Sequence, residues 1–325
     1  MELDSLDRKI LLCLEEDGRQ HAKAIARKVR SSGDVVEYRM RRMEKEGVIG
    51  RHMALVNFSE LGYIGYGVFC CFVGEKRNDA IEHLKAHDRV YWLAEFGGRF
   101  DLAFAVMARD DFEFYSIFGK IREKLHGALG GWKVAIRMQL MQHPRSYLIS
   151  RDRDKKAASP YFGKALGREK LDDADFSVLK AISQDARLDT IAIAKKVKMP
   201  ASTVAFRLKK LQERKIIQGF SPQVSCQKYG FQSYQLFLEV EDLDEEKRQK
   251  ILNYAQGSSN VVFVIETLGE WNFEMIYEVK DQKEFQAKVA ALRAVIPWAG
   301  KIESGIIFDH NVKYDQFPLE MIETK

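Results

Sequence analysis

Two short basic stretches carry the side chains best suited to meeting a polyanion. In residues 199–217, Ser202, Thr203 and Phe206 open a helical pattern, and Arg207, Lys209 and Lys210 follow directly. Short hydroxyls and an aromatic ring suit base edges and thymine methyls; Lys and Arg suit phosphates, which fix position without reading sequence. Residues 31–49 repeat the plan with Ser32, Tyr38, Arg39, Arg41 and Arg42, but set Asp34 and Glu37 where the other stretch has Ser202 and Ala205. A carboxylate facing phosphate is disfavoured unless it accepts from a cytosine amino group, so the first stretch is expected to hold DNA less tightly. Arg39 and Arg207 have a second reading, as ion-pair partners of acidic residues in their own domain.

A different chemistry is offered by Gly97-Gly98-Arg99-Phe100-Asp101. Glycines permit positive φ and expose backbone amides to a carboxylate, and Asp101 suits an ammonium group, so this turn is the candidate effector site; an ordinary hairpin turn is the alternative. Its later counterpart, Gly269-Glu270-Trp271-Asn272, lacks the carboxylate and carries a larger ring. Effector binding at Gly269, Trp271 and Asn272 is expected to be altered or absent.

Reactive chemistry is not indicated. His83 and His87 stand four apart without a third ligand, and Cys13, Cys70, Cys71 and Cys226 show no CxxC spacing, so buried thiols and surface histidines are expected. No phosphate loop, nucleophile elbow or paired-carboxylate motif stands out, and neither an enzyme activity nor a cofactor or metal is expected.

The net charge of +5 is too mild to argue for nucleic acid by itself, so its distribution matters. Residues 1–60 hold 12 Lys/Arg against 11 Asp/Glu, whereas residues 171–228 hold 11 against 6. The second region is the better DNA binder on electrostatics. With 46% hydrophobic and 30% charged residues, no apolar run long enough to span a bilayer and an acidic, amphipathic start, the chain is expected to be soluble, cytoplasmic and free of the membrane.

The basic stretches must be presented by helices. Val204, Leu208 and Leu211 recur at i, i+4, i+7, the apolar stripe of a helix buried on one side. Leu3–Tyr63 aligns with Leu171–Phe231 at a constant offset of 168, with 16 of 61 positions identical. Each copy reads as three helices followed by an extended wing, with the third helix basic: about 32–46 in the first and 201–214 in the second. Downstream of each, apolar strands and amphipathic helices alternate as β-α-β-β-α-β. The class is α+β: two winged helix-turn-helix domains (1–60 and 171–228), each followed by a ferredoxin-like βαββαβ sandwich (61–150 and 229–325). Residues 151–170 are a basic linker with seven Lys/Arg against three Asp/Glu, either a solvated tether or a strap along a phosphate backbone.

The residues Leu3-Asp4-x-x-Asp7, Ile10-Leu11, Asp17-Gly18-Arg19, Arg39, Met43-Glu44-x-x-Gly47-Val48-Ile49 and Gly98-Arg99-Phe100-Asp101 resemble the leucine-responsive regulator/AsnC family, and Leu171-Asp172-x-x-Asp175, Ser202-Thr203-Val204, Arg207 and Ile216-Ile217 repeat the likeness. The resemblance implies double-stranded DNA as partner, sheet-to-sheet pairing of the sandwiches and a small effector, typically an amino acid. It departs from the usual family plan in fusing two units, which makes one chain a built-in pseudodimer, with further homo-oligomerisation left open. Siroheme decarboxylases look like the same two-domain unit and are the alternative; they would use His and Arg around a tetrapyrrole.

Overall fold

The computed structural model describes residues 1–74, 76–149, 160–163, 165–167 and 169–315. The first three-helix unit comprises α1 (Ser5–Glu16), α2 (Ala22–Val29) and α3 (Gly33–Lys45), and strand β1 (Ile49–Val56) follows. Its counterpart comprises α6 (Asp173–Gln184), α7 (Thr190–Val197), α8 (Ala201–Glu213) and β7 (Ile217–Val224). Each recognition-type helix turns its apolar stripe inward: Val36, Met40 and Met43 on α3, and Val204, Leu208 and Leu211 on α8.

The extended wings do not fold back on their own domains. β1 and β7 pair with each other, antiparallel, from Ile49 opposite Val224 to Val56 opposite Ile217. Part of each apolar face is exchanged as well: Ala54 and Val56 pack into the core of the second three-helix unit and Val224 into that of the first, while Ile49, and Ile217 with Phe220, stay with their own. Gly18 N–H donates to Phe220 O, and 168 residues later Ala186 N–H donates to His52 O, so the exchange is pseudo-symmetric. A strand that satisfies its backbone groups only across the copies locks the two helical units together.

The first sandwich is β2 (Ile64–Phe72), α4 (Arg77–Ala86), β3 (Val90–Gly98), β4 (Leu102–Ala108), α5 (Asp111–Lys124) and β5 (Leu129–Gln142). The second is β8 (Gln232–Glu239), α9 (Glu245–Gly257), β9 (Val261–Gly269), β10 (Phe273–Val279), α10 (Gln282–Val295) and β11 (Lys301–Tyr314). Each has the strand order last-first-third-second, as the β-α-β-β-α-β pattern requires. The 14-residue strands β5 and β11 are long enough to serve both units: β5 pairs with β2 and then with β9, and β11 with β8 and then with β3. Eight strands thus close into a ring, with helices outside on two faces and a shared aromatic interior of Phe69, Phe96, Phe100, Phe237 and Trp271.

Part of the linker is structured. Tyr161–Gly163 forms the short strand β6 against Gln139–Met141 of β5, and Gly167 N–H donates to Ser59 O. The expectation that residues 151–170 follow a phosphate backbone falls largely outside the described residues. Among the described residues, no helix is long and apolar enough to cross a membrane.

Candidate nucleic-acid interface and effector turn

The exposed surfaces of α3 and α8 begin at their N-terminal ends. Ser32 caps α3, its Oγ accepting from Val35 N–H at 3.3 Å. α8 starts after Pro200 without a side-chain cap, so Ser202 and Thr203 lie in the first turn rather than capping it, and Ser202 is left exposed. Tyr38 and Phe206 occupy equivalent positions and are 65% and 56% exposed, so both rings are open to an external partner. Lys210 Nζ sits 5.8 Å from the Phe206 ring centre. Lys209 and Lys210 reach Glu213 at 3.8 and 3.0 Å, solvent-exposed pairs that open readily, and Arg41 pairs with Glu37 at 2.6 Å.

The sequence-proposed arginines behave differently. Arg39 Nη1 donates to Asp4 and to the fully buried Asp7, and Arg42 Nη2 donates to Asp7 Oδ2 at 2.6 Å. In the second copy, Arg207 pairs with Asp172 and Asp175, and Arg214 Nη1 meets Asp175 Oδ2 at 2.7 Å. The second reading of Arg39 and Arg207 is therefore the one found. Their contact with phosphate would require giving up carboxylates that the domain holds inside, and leaving a buried Asp unpaired is costly. The recurring Leu-Asp-x-x-Asp pattern now has a physical reason: Asp4 caps α1, accepting from Leu6 and Asp7 N–H, while both acids anchor helix 3 through arginine. Asp4 and Asp172 are held below the usual carboxylate range chiefly by the backbone N–H of Asp7 and Asp175, and further by Arg39 and Arg207.

The framework cation is placed differently in the two copies, and this frees a lysine. Copy one completes its acid cluster from Arg42; copy two uses Arg214, and the position equivalent to Arg42 becomes Lys210, half exposed at the surface. Lys209 and Lys210 of α8 both sit at the surface, sharing Glu213, whereas on α3 Arg41 alone of the matching pair does so, in an exposed pair with Glu37, and Arg42 is tied inward. In sequence Arg42 and Lys210 are equivalent cations; the replacement of Glu46 by Arg214 at the equivalent position marks the difference.

At the effector turn the glycines and the acid are committed to the fold. Gly97 and Gly98 lie in β3 opposite Ile306 and Gly305, and Gly269 lies in β9 opposite Ala135. A Cβ on Gly97 would come 2.7 Å from the Phe308 ring, and one on Gly269 would come 2.8 Å from Val134 O, so these glycines admit the other unit's strand. Gly98 also takes φ +116°, which favours glycine. Asp101 Oδ2 accepts from Phe72 N–H at 2.8 Å, and Asn272 Oδ1 accepts from Val240 N–H at 2.6 Å, the equivalent donor. The exchange of Asp for Asn keeps the hydrogen bond, which is why copy two tolerates it; the sequence expectation that the carboxylate is present to meet an ammonium group is replaced by this backbone role. Phe100 and Trp271 are buried in the shared interior, and Arg99 is clamped by Glu270 and Glu303 of the second unit. Gly97, Gly98, Arg99, Phe100, Asp101, Gly269, Trp271 and Asn272 are brought together, as an inter-unit seam.

Comparison with known proteins agrees with this architecture. A winged helix-turn-helix DNA-binding model matches twice, at residues 3–49 and 171–218. An uncharacterised HTH-type transcriptional regulator of Pyrococcus abyssi is 33% identical over 112 residues, which are 34% of this chain and 70% of that protein. A leucine-responsive regulatory protein of Rhizobium meliloti is 42% identical over 87 residues, 26% of this chain and 53% of that one. Three further curated relatives are matched over 61%, 32% and 40% of their lengths, less than two thirds in each case. Among solved structures, the siroheme decarboxylase NirDL shares the fold across the tandem, with a TM-score of 0.63, 13% identity and coverage of 95% of this chain and 93% of that one.

Proposed function

Because the chain belongs to the leucine-responsive regulator/AsnC family of winged helix-turn-helix proteins, we propose that it is a sequence-specific regulator that binds double-stranded DNA as a pseudodimer, anchored mainly by copy two. The observation that carries the reading is the exposed face of α8. Ser202, Phe206, Lys209 and Lys210 are all outside the domain's own ion-pair network with Asp172 and Asp175. Lysines there neutralise phosphates, and Ser202, Thr203 and Phe206 face base edges. On α3 the face offers Ser32, Tyr38 and Arg41 but also Asp34 and Glu37, so it reads DNA more weakly or with different preference. The exchanged strands β1 and β7 fix the two helices in one rigid frame, which sets the spacing of the two half-sites.

Modulation by a small effector, as the family resemblance implies, completes the proposal. At the turn Gly97–Asp101, Asp101 Oδ2 is held by Phe72 N–H and the Arg99 guanidinium by Glu270 and Glu303, which weighs against those two side chains as its anchor. Selecting bound fragments from genomic DNA at near-physiological salt, with and without amino acids, tests the reading. A recurrent motif is expected, and equal affinity for every sequence, or none for any, overturns it. The enzyme alternative rests on likeness of fold to a siroheme decarboxylase. Of the His and Arg setting it calls for, Arg137 and Arg145 line the central cavity, while no described histidine does.

A further inference from the structure

Between the strand ring and the β1–β7 ribbon lies a cavity of about 100 Å³, partly open to solvent. Its walls come from every part of the chain: Phe58 after β1, Trp92 on β3, Phe162 on β6, Phe263 on β9 and Ile276 on β10, most of them apolar. Two arginines line it, and they are not alike. Arg145 is saturated, its Nε and Nη2 donating to Glu278 at 2.7 and 2.8 Å and its Nη1 to Glu15.

Arg137 is as deeply buried but poorly matched. Its Nη1 donates to Tyr91 Oη at 3.0 Å, its Nε has no hydrogen-bond partner among the described residues, and its nearest carboxylate, Glu274, is 4.0 Å away. That carboxylate is already held by Gln235 Nε2 at 2.8 Å and Trp271 Nε1 at 3.2 Å, and burial pushes it up. Gln235 Oε1 and Gln142 Oε1, both on the cavity wall, also lack partners among the described residues. A buried donor such as Arg137 Nε left open at a cavity wall is costly unless an acceptor meets it, whereas the two amide oxygens call for a donor such as water and are not met by a carboxylate.

The pseudo-twofold symmetry shows that the fold does not require this set. By strand register Arg137 corresponds to Ile307, Arg137 lying opposite Thr267 and Ile307 opposite the equivalent Phe96. By the same offsets Gln235 corresponds to Gly67, Glu274 to Ala103 and Glu278 to Met107. Ala103, Met107 and Ile307 are buried and apolar, so the related position in the other half is closed without charge. Gly67 has a further part: a Cβ there would come 3.3 Å from Arg137 Nε, so its missing side chain makes room for the guanidinium.

We propose that this cavity is a binding site, one per chain, for a small monocarboxylic acid with an apolar body, its carboxylate held by Arg137 and its body by Trp92, Phe263 and Ile276. A guanidinium is the side chain best shaped to take a carboxylate through two hydrogen bonds, and the apolar walls supply the remaining affinity. The proposal does not rest on DNA binding, so its test contains no DNA, and failure of either reading leaves the other standing.

The test is calorimetric titration of the full chain with 3-phenylpropionate and 4-methylpentanoate, alongside their amides. At least one acid is expected to bind at one per chain, with its amide about tenfold weaker or worse, the loss of a charge-assisted pair. Arg137→Met should weaken the acid by a similar factor. Ile276→Trp, which fills the cavity and leaves Arg137 in place, should abolish binding and covers the case in which Arg137→Met does not fold. No binding of either acid at millimolar concentration, equal binding of acid and amide, two sites per chain, or undiminished binding by Ile276→Trp would each overturn the proposal.

Discussion

The two three-helix units are built on one frame and differ in what they leave over. In copy one the acids Asp4 and Asp7 draw in both Arg39 and Arg42, so α3 presents Tyr38 with Arg41, in an exposed pair with Glu37, as its surface cation from this set. In copy two Asp172 and Asp175 draw in Arg207 and Arg214, and Lys209 and Lys210 stay at the surface beside Phe206. A basic residue on a recognition helix is therefore not evidence of DNA contact until its domain's own carboxylates are accounted for. The difference also shows how a duplicated domain can redistribute charge: moving one framework cation from the Arg42 position to Arg214 leaves Lys210 at the surface.

The largest effect should come from breaking the frame. Arg39→Ala/Arg42→Ala leaves Asp7 buried without a cation and is expected to destabilise the first unit by about 3–5 kcal/mol in urea unfolding, whereas Lys209→Ala/Lys210→Ala should change stability by less than about 0.5 kcal/mol. Similar losses for the two double variants would erase the distinction between frame and surface. Converting copy one towards copy two by Asp34→Ser/Glu37→Ala should raise DNA affinity several-fold and steepen its salt dependence, read by fluorescence anisotropy between 50 and 200 mM salt.

A smaller contrast lies in the exchanged strands, where His52 of β1 corresponds to Phe220 of β7. Burial holds the His52 imidazole below its usual range, with Arg187 adding to the effect and Glu44 and Asp185 opposing it. A lowered folded value means that the unfolded chain takes up the proton first. His52 stabilises above about pH 6.5, and that contribution is lost as pH falls below it. His52→Phe should flatten thermal stability across pH 5–7; an unchanged slope would remove His52 from the account. The smallest effect is expected from Asp101→Asn, which copies Asn272 and should cost under about 1 kcal/mol, while Asp101→Leu strands the Phe72 N–H and should cost about 1–3 kcal/mol. Equal costs would restore a carboxylate-specific role to Asp101.

Local pattern made much of the fold legible. The 3.6-residue stripes at Val36-Met40-Met43 and Val204-Leu208-Leu211 and the alternating strands gave elements close to those found, and the constant offset exposed the duplication. What pairs with what across the copies was not legible. The length of β5 and β11 hinted at double duty, but the exchange of β1 and β7, the ring closure and β6 depend on contacts far apart in sequence. The site residues were read in part for the same reason: Arg39 and Arg207 carry one formal charge wherever they sit, and only their distance to Asp7 and Asp175 separates scaffold from surface. The cavity residues Arg137, Gln235 and Glu274 sit on strands that interleave polar with apolar residues, so which polar side chains face inward is not legible locally, and comparison with Ile307, Gly67 and Ala103 in the other copy supplies the signal.

The central claim, that copy two anchors the DNA through the exposed lysines of α8, is tested most directly by measuring affinity for a selected fragment with Lys209→Ala/Lys210→Ala and with Arg41→Ala, each first shown to be folded. Removing the two lysines should weaken binding about tenfold or more at 150 mM salt and lower the slope of log affinity against log salt by about 2, with Arg41→Ala changing either only slightly. Equal losses from the two variants, or an unchanged salt slope without the lysines, would contradict it.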